Sequence, residues 1–175
     1  MKVTLAAGSV EEGDPDSSTI PLFNYGNMEK ALSEVIPELW QGARSYQEIE
    51  ISLRFVNKAE MTSLNTEYRG VGYPTDVISF SLWEGEPFPD PEEWPILPLG
   101  DVVLCPSYIR ENSGVSEGEE LQEMLLMISH GILHLLGRDH ANHTEKNSMW
   151  EEQSNLSDYL FRYHLIDKIS EEGQE

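Results

Sequence analysis

The stretch from residue 116 to 137, SEGEELQEMLLMISHGILHLLG, constrains the fold more than any other. Its apolar residues recur at helical spacing, so it reads as a long helix built for a protein core. Ser116 is placed to cap it, acids fill its first turns where they suit the macrodipole, and Gly137 ends it. Yet this oily segment and the three residues after it hold His130, His134 and His140, three of the chain's five histidines.

Histidines four apart on a helix are separated by about 400° of rotation and about 6 Å of rise, so they project from one face. His130 and His134 can therefore reach one metal ion. Gly137 lets the chain turn, so that His140 can return as a third ligand. Three nitrogen ligands with one open position is the arrangement of a catalytic zinc site; structural sites are closed by four protein ligands. A lone histidine on an apolar helix face is usually a hydrogen-bonded core residue. Three at offsets 0, 4 and 10, with glycine at offset 7, argue for a metal site. The offsets are those of the metzincin peptidase motif, but Gly131 stands where the peptidases carry their general-base glutamate. That disfavours peptide hydrolysis by the same route. Asp139 either orients a histidine or shapes the turn.

Charge and cysteine content narrow the function classes. The 11 basic and 32 acidic residues give a formal charge of −21, which argues against a broad electropositive surface for gripping nucleic acid. A local basic groove stays compatible with it. Cys105 is the single cysteine, so neither an internal disulfide nor a thiol-rich metal cage is expected, and it reads as a small buried hydrophobe. No run is apolar enough for a signal peptide or a membrane span, which points to a cytoplasmic protein.

The 175 residues suit one domain. Residues 9–19 read as an acidic loop, 83–98 as a proline-rich loop packed over something, and 167–175 as a disordered tail. A helix is expected over 27–43, with Asn27 as cap and Pro37 kinking it. The alternation of Ile49, Ile51, Leu53 and Phe55 predicts a half-buried strand over 48–57. A helix over 58–70 should stop at Gly70. Strands are expected at 76–82 and 100–105, and an amphipathic helix at 143–166. The sum is an α/β (α+β) domain: a small mixed sheet packed with helices, with a three-histidine metal site at the end of a long helix.

Four ordered motifs carry a family resemblance. HGILHLLGRDH (130–140) resembles the signature of the YbeY family, metal-dependent endoribonucleases that act in ribosomal RNA maturation. LNTEYRGVGYPTDVISF (64–80), LGDVVLCP (99–106) and MWEEQ (149–153) resemble further family blocks, and the match spans roughly 45–160. The departures are the acidic 9–19 insertion, the 83–98 loop, the negative charge, and Arg138 where relatives commonly carry tyrosine.

The resemblance implies a zinc-dependent, single-strand-specific endoribonuclease, other divalent transition metals also being compatible. Its partners would be ribosomal RNA and the small ribosomal subunit, whose RNA it would mature at the 3′ end, with no membrane or DNA partner. Arg69 matches the arginine the family uses for activity, and a guanidinium fork suits a charged phosphoryl group. Thr75 and Asp76 form either a turn at a strand start or a pair serving the site. Tyr68 and Tyr73 can stack bases, Phe80 suits the core, and Arg54, Lys58 and Arg69 can line a groove. His143 is an accessory-ligand candidate, although HANHTE reads better as a polar loop; His164 reads as unrelated. Two other functions stay open: a metallohydrolase of peptides or small molecules, and a non-enzymatic ribosome-assembly module with a structural zinc.

Overall fold

Among the described residues, four strands and five α-helices follow in order, with a short 3-10 helix (Gln41–Ser45) after the first helix: β1 (Lys2–Gly8), α1 (Tyr25–Leu39), β2 (Glu48–Phe55), α2 (Lys58–Arg69), β3 (Val77–Ser81), β4 (Ile96–Leu104), α3 (Pro106–Ser113), α4 (Glu120–Leu135) and α5 (His143–Glu172). They are seen in a computed structural model that describes residues 1–8, 24–114, 119–138 and 143–172. The strands form one four-stranded sheet in the order β1-β2-β4-β3, parallel except for the β3–β4 pair. This is the mixed α+β domain that the sequence pattern implies.

β2 shows how the core is laid down. Ile49, Ile51, Leu53 and Phe55 are all buried, and the residues between them are not. Their face meets α1, α4 and α5 in the main core with Leu32, Ile36, Leu97, Leu104, Ile128 and Leu156. A smaller cluster on other side chains joins Met61 of α2 to Ile78, Val103 and Cys105, and Cys105 is buried as expected. At the sheet's edge, the main-chain N–H groups of Val3 and Leu5 donate to Ser33 Oγ and Glu29 Oε1 of α1.

Several boundaries differ from the sequence reading. α1 begins earlier than expected, because Asn24 is its cap and its Oδ1 accepts from the Asn27 N–H; Asn27 is buried inside the first turn. Pro37 falls in the last turn, and the helix stops two residues later instead of continuing to residue 43. β4 starts inside the segment expected to be wholly irregular. Pro98 is tolerated because β3 joins β4 only from Gly100 onward, and the β2–β4 register shifts just past it. Gly100 itself, at φ 136°, leaves no room for a side chain: a Cβ would lie 2.0 Å from the Phe80 carbonyl oxygen.

Among the described residues, β1 and α3 are elements the sequence reading did not include. α4 begins at Glu120 with Glu119, not Ser116 as expected, in the cap position, and the Glu119 side chain makes no cap hydrogen bond. Ser116 itself and the 9–19 loop lie outside the described residues. α5 runs on through Glu172, into the stretch expected as a tail. No helix among the described residues is long and apolar enough to cross a membrane.

Candidate active site

α4 is buried on nearly every side: Met124, Leu125, Ile128, Ser129, Gly131, Ile132, Leu133 and Leu135 all pack inward. The stripe left half-buried runs through Leu126, Met127, His130 and His134. Helical spacing therefore places the two histidines on the one face of α4 that opens outward. Their Nε2 atoms converge to 3.1 Å, and the rings stand edge to face at 73°. Two nitrogens bound at about 2.0–2.1 Å to one tetrahedral zinc sit roughly 3.3 Å apart, so this donor pair fits such an ion. His140 and Asp139 lie outside the described residues, among which no group of three metal-type donors occurs.

α4 ends as the sequence indicates. Gly137, at φ 78°, donates to the His134 carbonyl, and the Arg138 N–H reaches back to that of Leu133. This paired bonding is a Schellman closure, which redirects the chain directly after His134. Gly131, at the peptidase glutamate position, is turned towards Val102 of β4 rather than towards the histidines.

The histidine pair opens into a cleft of about 1180 Å³ that also receives Arg69, Asp76, Arg138 and Gln153. Arg69 is the last residue of α2, and Gly70 closes that helix in the left-handed conformation at φ 69°. Its exposed guanidinium makes no hydrogen bond or ion pair with a described residue. Lys2, Arg44, Arg54, Lys58, Arg110 and Arg138 each pair with a carboxylate instead. The groove expected from Arg54, Lys58 and Arg69 thus reduces to Arg69, because Glu60 and Glu111 hold the other two.

Thr75 and Asp76 form a cap at the start of β3. Asp76 Oδ1 accepts from the Thr75 hydroxyl and the Val77 N–H, while its carbonyl accepts from the Cys105 N–H. The Asp76 side chain nonetheless reaches the cleft wall. Tyr68 and Tyr73 are exposed, and Tyr68 packs edge-on against Phe80, which is half-buried beside the smaller cluster. His143 is the first residue of α5.

The proline-rich loop packs over the fold as its tryptophans indicate. Trp83 Nε1 donates to the Pro98 carbonyl, Phe88 rests against Trp40, and the Tyr46 hydroxyl donates to the Pro89 carbonyl. Trp83 and Phe88 then form one wall of the cleft.

Gln153 was not singled out by the sequence reading. Its Oε1 lies 3.1 Å from His130 Nδ1. A signal was present: Gln153 interrupts an apolar stripe of α5 formed by Met149, Leu156 and Leu160, all buried. A polar residue in such a stripe needs a partner.

Fold and site together define a class, a mixed α+β domain presenting a histidine-bearing cleft at the end of a central helix. The model of the family described as Endoribonuclease YbeY matches residues 16–160. An Endoribonuclease YbeY of Pelotomaculum thermopropionicum is 42% identical over 125 residues, covering 71% of this chain and 78% of the relative. One from Leifsonia xyli subsp. xyli is 36% identical, with 67% and 77% covered. The solution structure of TM1509 from Thermotoga maritima shares the fold, with a TM-score of 0.50 at 23% identity over 91% of this chain and 89% of that one. The chain belongs to the YbeY endoribonuclease family.

Proposed function

We propose that this protein is a zinc-dependent endoribonuclease that cuts single-stranded RNA in the cytoplasm, during maturation of the 3′ end of small-subunit ribosomal RNA. One observation carries the reading. Two imidazole nitrogens converge in the same cleft as an arginine that forms no ion pair with a described carboxylate. Family membership supplies the substrate class, and the resemblance of the motifs supplies the ribosomal setting.

His130 and His134 would hold the ion together with His140. When bound, it would supply Lewis-acid polarisation of a phosphoryl oxygen and of a water molecule. The rest belongs to the chain. Arg69 offers its fork of N–H groups to the non-bridging oxygens of the scissile phosphate, where negative charge builds up. Tyr68 and Tyr73 offer exposed ring faces to unpaired bases. Trp83 and Phe88 wall one side of the cleft and limit the water that reaches it. Peptide hydrolysis of the metzincin type is disfavoured because Gly131 faces a buried strand, where a glutamate has no room.

Zinc-loaded protein should cleave unstructured RNA and leave unstructured peptides intact, and His134→Ala should reduce cleavage to background. RNA cleavage that persists in His134→Ala, or peptide turnover by the native chain, overturns the reading.

A further inference from the structure

We infer that Gln153 is a positioning residue that fixes the proton of His130 on Nδ1 and so keeps Nε2 available as a ligand atom. The inference rests on the proposed metal site and adds to it the group that prepares one of its ligands.

One acceptor beside Gln153 cannot change its nature. The main-chain carbonyl of Leu126 lies 3.4 Å from Gln153 Nε2. A carbonyl only accepts, so the amide end facing it must be the NH2 group. Reversing the amide would set two oxygens against each other. The other end, Oε1, therefore faces His130 Nδ1 at 3.1 Å. An amide oxygen also only accepts, so Nδ1 must carry the proton. The lone pair of the neutral ring then falls on Nε2, the atom that meets His134 Nε2.

Burial makes the arrangement firm. Gln153 is 8% exposed and sits where the apolar stripe of α5 meets the cleft, so most of its amide is shielded from water and must find its partners in the protein. Leu126 precedes His130 by one helical turn, so its carbonyl also takes the main-chain N–H of His130. Backbone of α4, side chain of α5 and ring of His130 close one circuit. The tautomer of a ligand histidine is thus set by the docking of α5 on α4. A free neutral histidine side chain favours the opposite form, with the proton on Nε2.

The test uses the full-length chain with zinc as the only added probe. Long-range ¹H–¹⁵N correlation on histidine-labelled, metal-free protein near pH 8, above the usual imidazole range of about 6.5, reads the tautomer directly. His130 should show the Nδ1-protonated pattern, and Gln153→Met should lose it. Zinc affinity, read against a competing chelator, should fall about 10–100-fold in Gln153→Met. Gln153→Glu keeps the acceptor facing Nδ1 while setting its second oxygen against the Leu126 carbonyl. It should therefore keep the Nδ1-protonated pattern and bind zinc more tightly than Gln153→Met, at some cost in stability.

A native His130 protonated on Nε2 overturns the inference without recourse to any variant. So does a Gln153→Met chain that binds zinc as tightly as the native one. A native chain that binds no zinc yet keeps the proton on Nδ1 removes the metal reading alone, and Gln153 stands as the group that sets the tautomer.

Discussion

Gly131 of α4 lies so close to Val102 of β4 that an added Cβ would sit 2.6 Å from Cγ1 and 3.0 Å from Cγ2. Val102 is fully buried and branched at Cβ, so it has little freedom to move aside. Gly131→Ala should therefore cost about 1–3 kcal/mol of stability, the usual penalty for overpacking a core. Urea unfolding measures it; an unchanged midpoint would mean that helix and sheet are free to separate. Gly131→Glu should fail to fold rather than acquire peptidase activity.

Arg69 is exposed and has no partner among the described residues, so its removal should leave the fold alone. Arg69→Ala should lose roughly 10²–10³-fold in RNA cleavage, the range for removing one donor to a developing anion. Its urea midpoint should match the native one. If precursor ribosomal RNA is processed normally in cells carrying Arg69→Ala, the assembly-module alternative gains and the catalytic role of Arg69 is lost.

Tyr159 of α5 donates its hydroxyl to Glu34 Oε2 of α1, while the Tyr163 hydroxyl donates to Oε1 of the same carboxylate. This bond to a carboxylate, with burial adding to it, pushes the Tyr159 phenol up to about 12. A group raised in the folded state contributes stability that is whole below its unfolded value of about 10. That contribution disappears as pH climbs through about 12. Subtracting the ultraviolet titration of Tyr159→Phe from that of the native chain should isolate one phenol ionising near 12. A difference centred near 10 would contradict the contact.

Glu48 is held below its ordinary value of about 4.5, first by the Thr4 hydroxyl and then by the Lys2 ammonium. A depressed carboxylate contributes stability above its unfolded value and loses it as pH falls through the folded one. Glu48→Gln should therefore flatten the acid limb of the stability curve and leave the neutral region nearly unchanged, since such exposed pairs contribute little. Thermal unfolding between pH 3 and about 6 spans the relevant range.

What could be read from sequence was what neighbouring residues decide. β2 and the end of α2 were legible because Ile49 to Phe55 alternate and because Gly70 stops the helix, whereas the Asn57 cap at its start emerged only in the structure. The His130–His134 pair was legible for the same reason: four residues on a helix fix a face. β1 escaped because KVTLAAG is short and small, and becomes a strand only by pairing with β2. The start of β4 was hidden by prolines that are harmless only because β3 begins further along. Gln153 meets His130 across 23 residues of sequence, through a helix–helix contact no local pattern encodes. Arg138 is similar: its ties to Glu152 and to the Leu39 carbonyl exist only once α1, α4 and α5 have assembled.

The bonds that the Val3 and Leu5 N–H groups donate to Ser33 and Glu29 reach further than the fold itself. An unprotected outermost strand is a template on which another molecule can add its own backbone and begin aggregation. Here a helix from the same chain already occupies those donors. A second copy would have to displace two hydrogen bonds against the mutual repulsion of molecules carrying −21 each. Concentrated solutions of this protein should stay free of strand addition at β1 for as long as α1 remains docked.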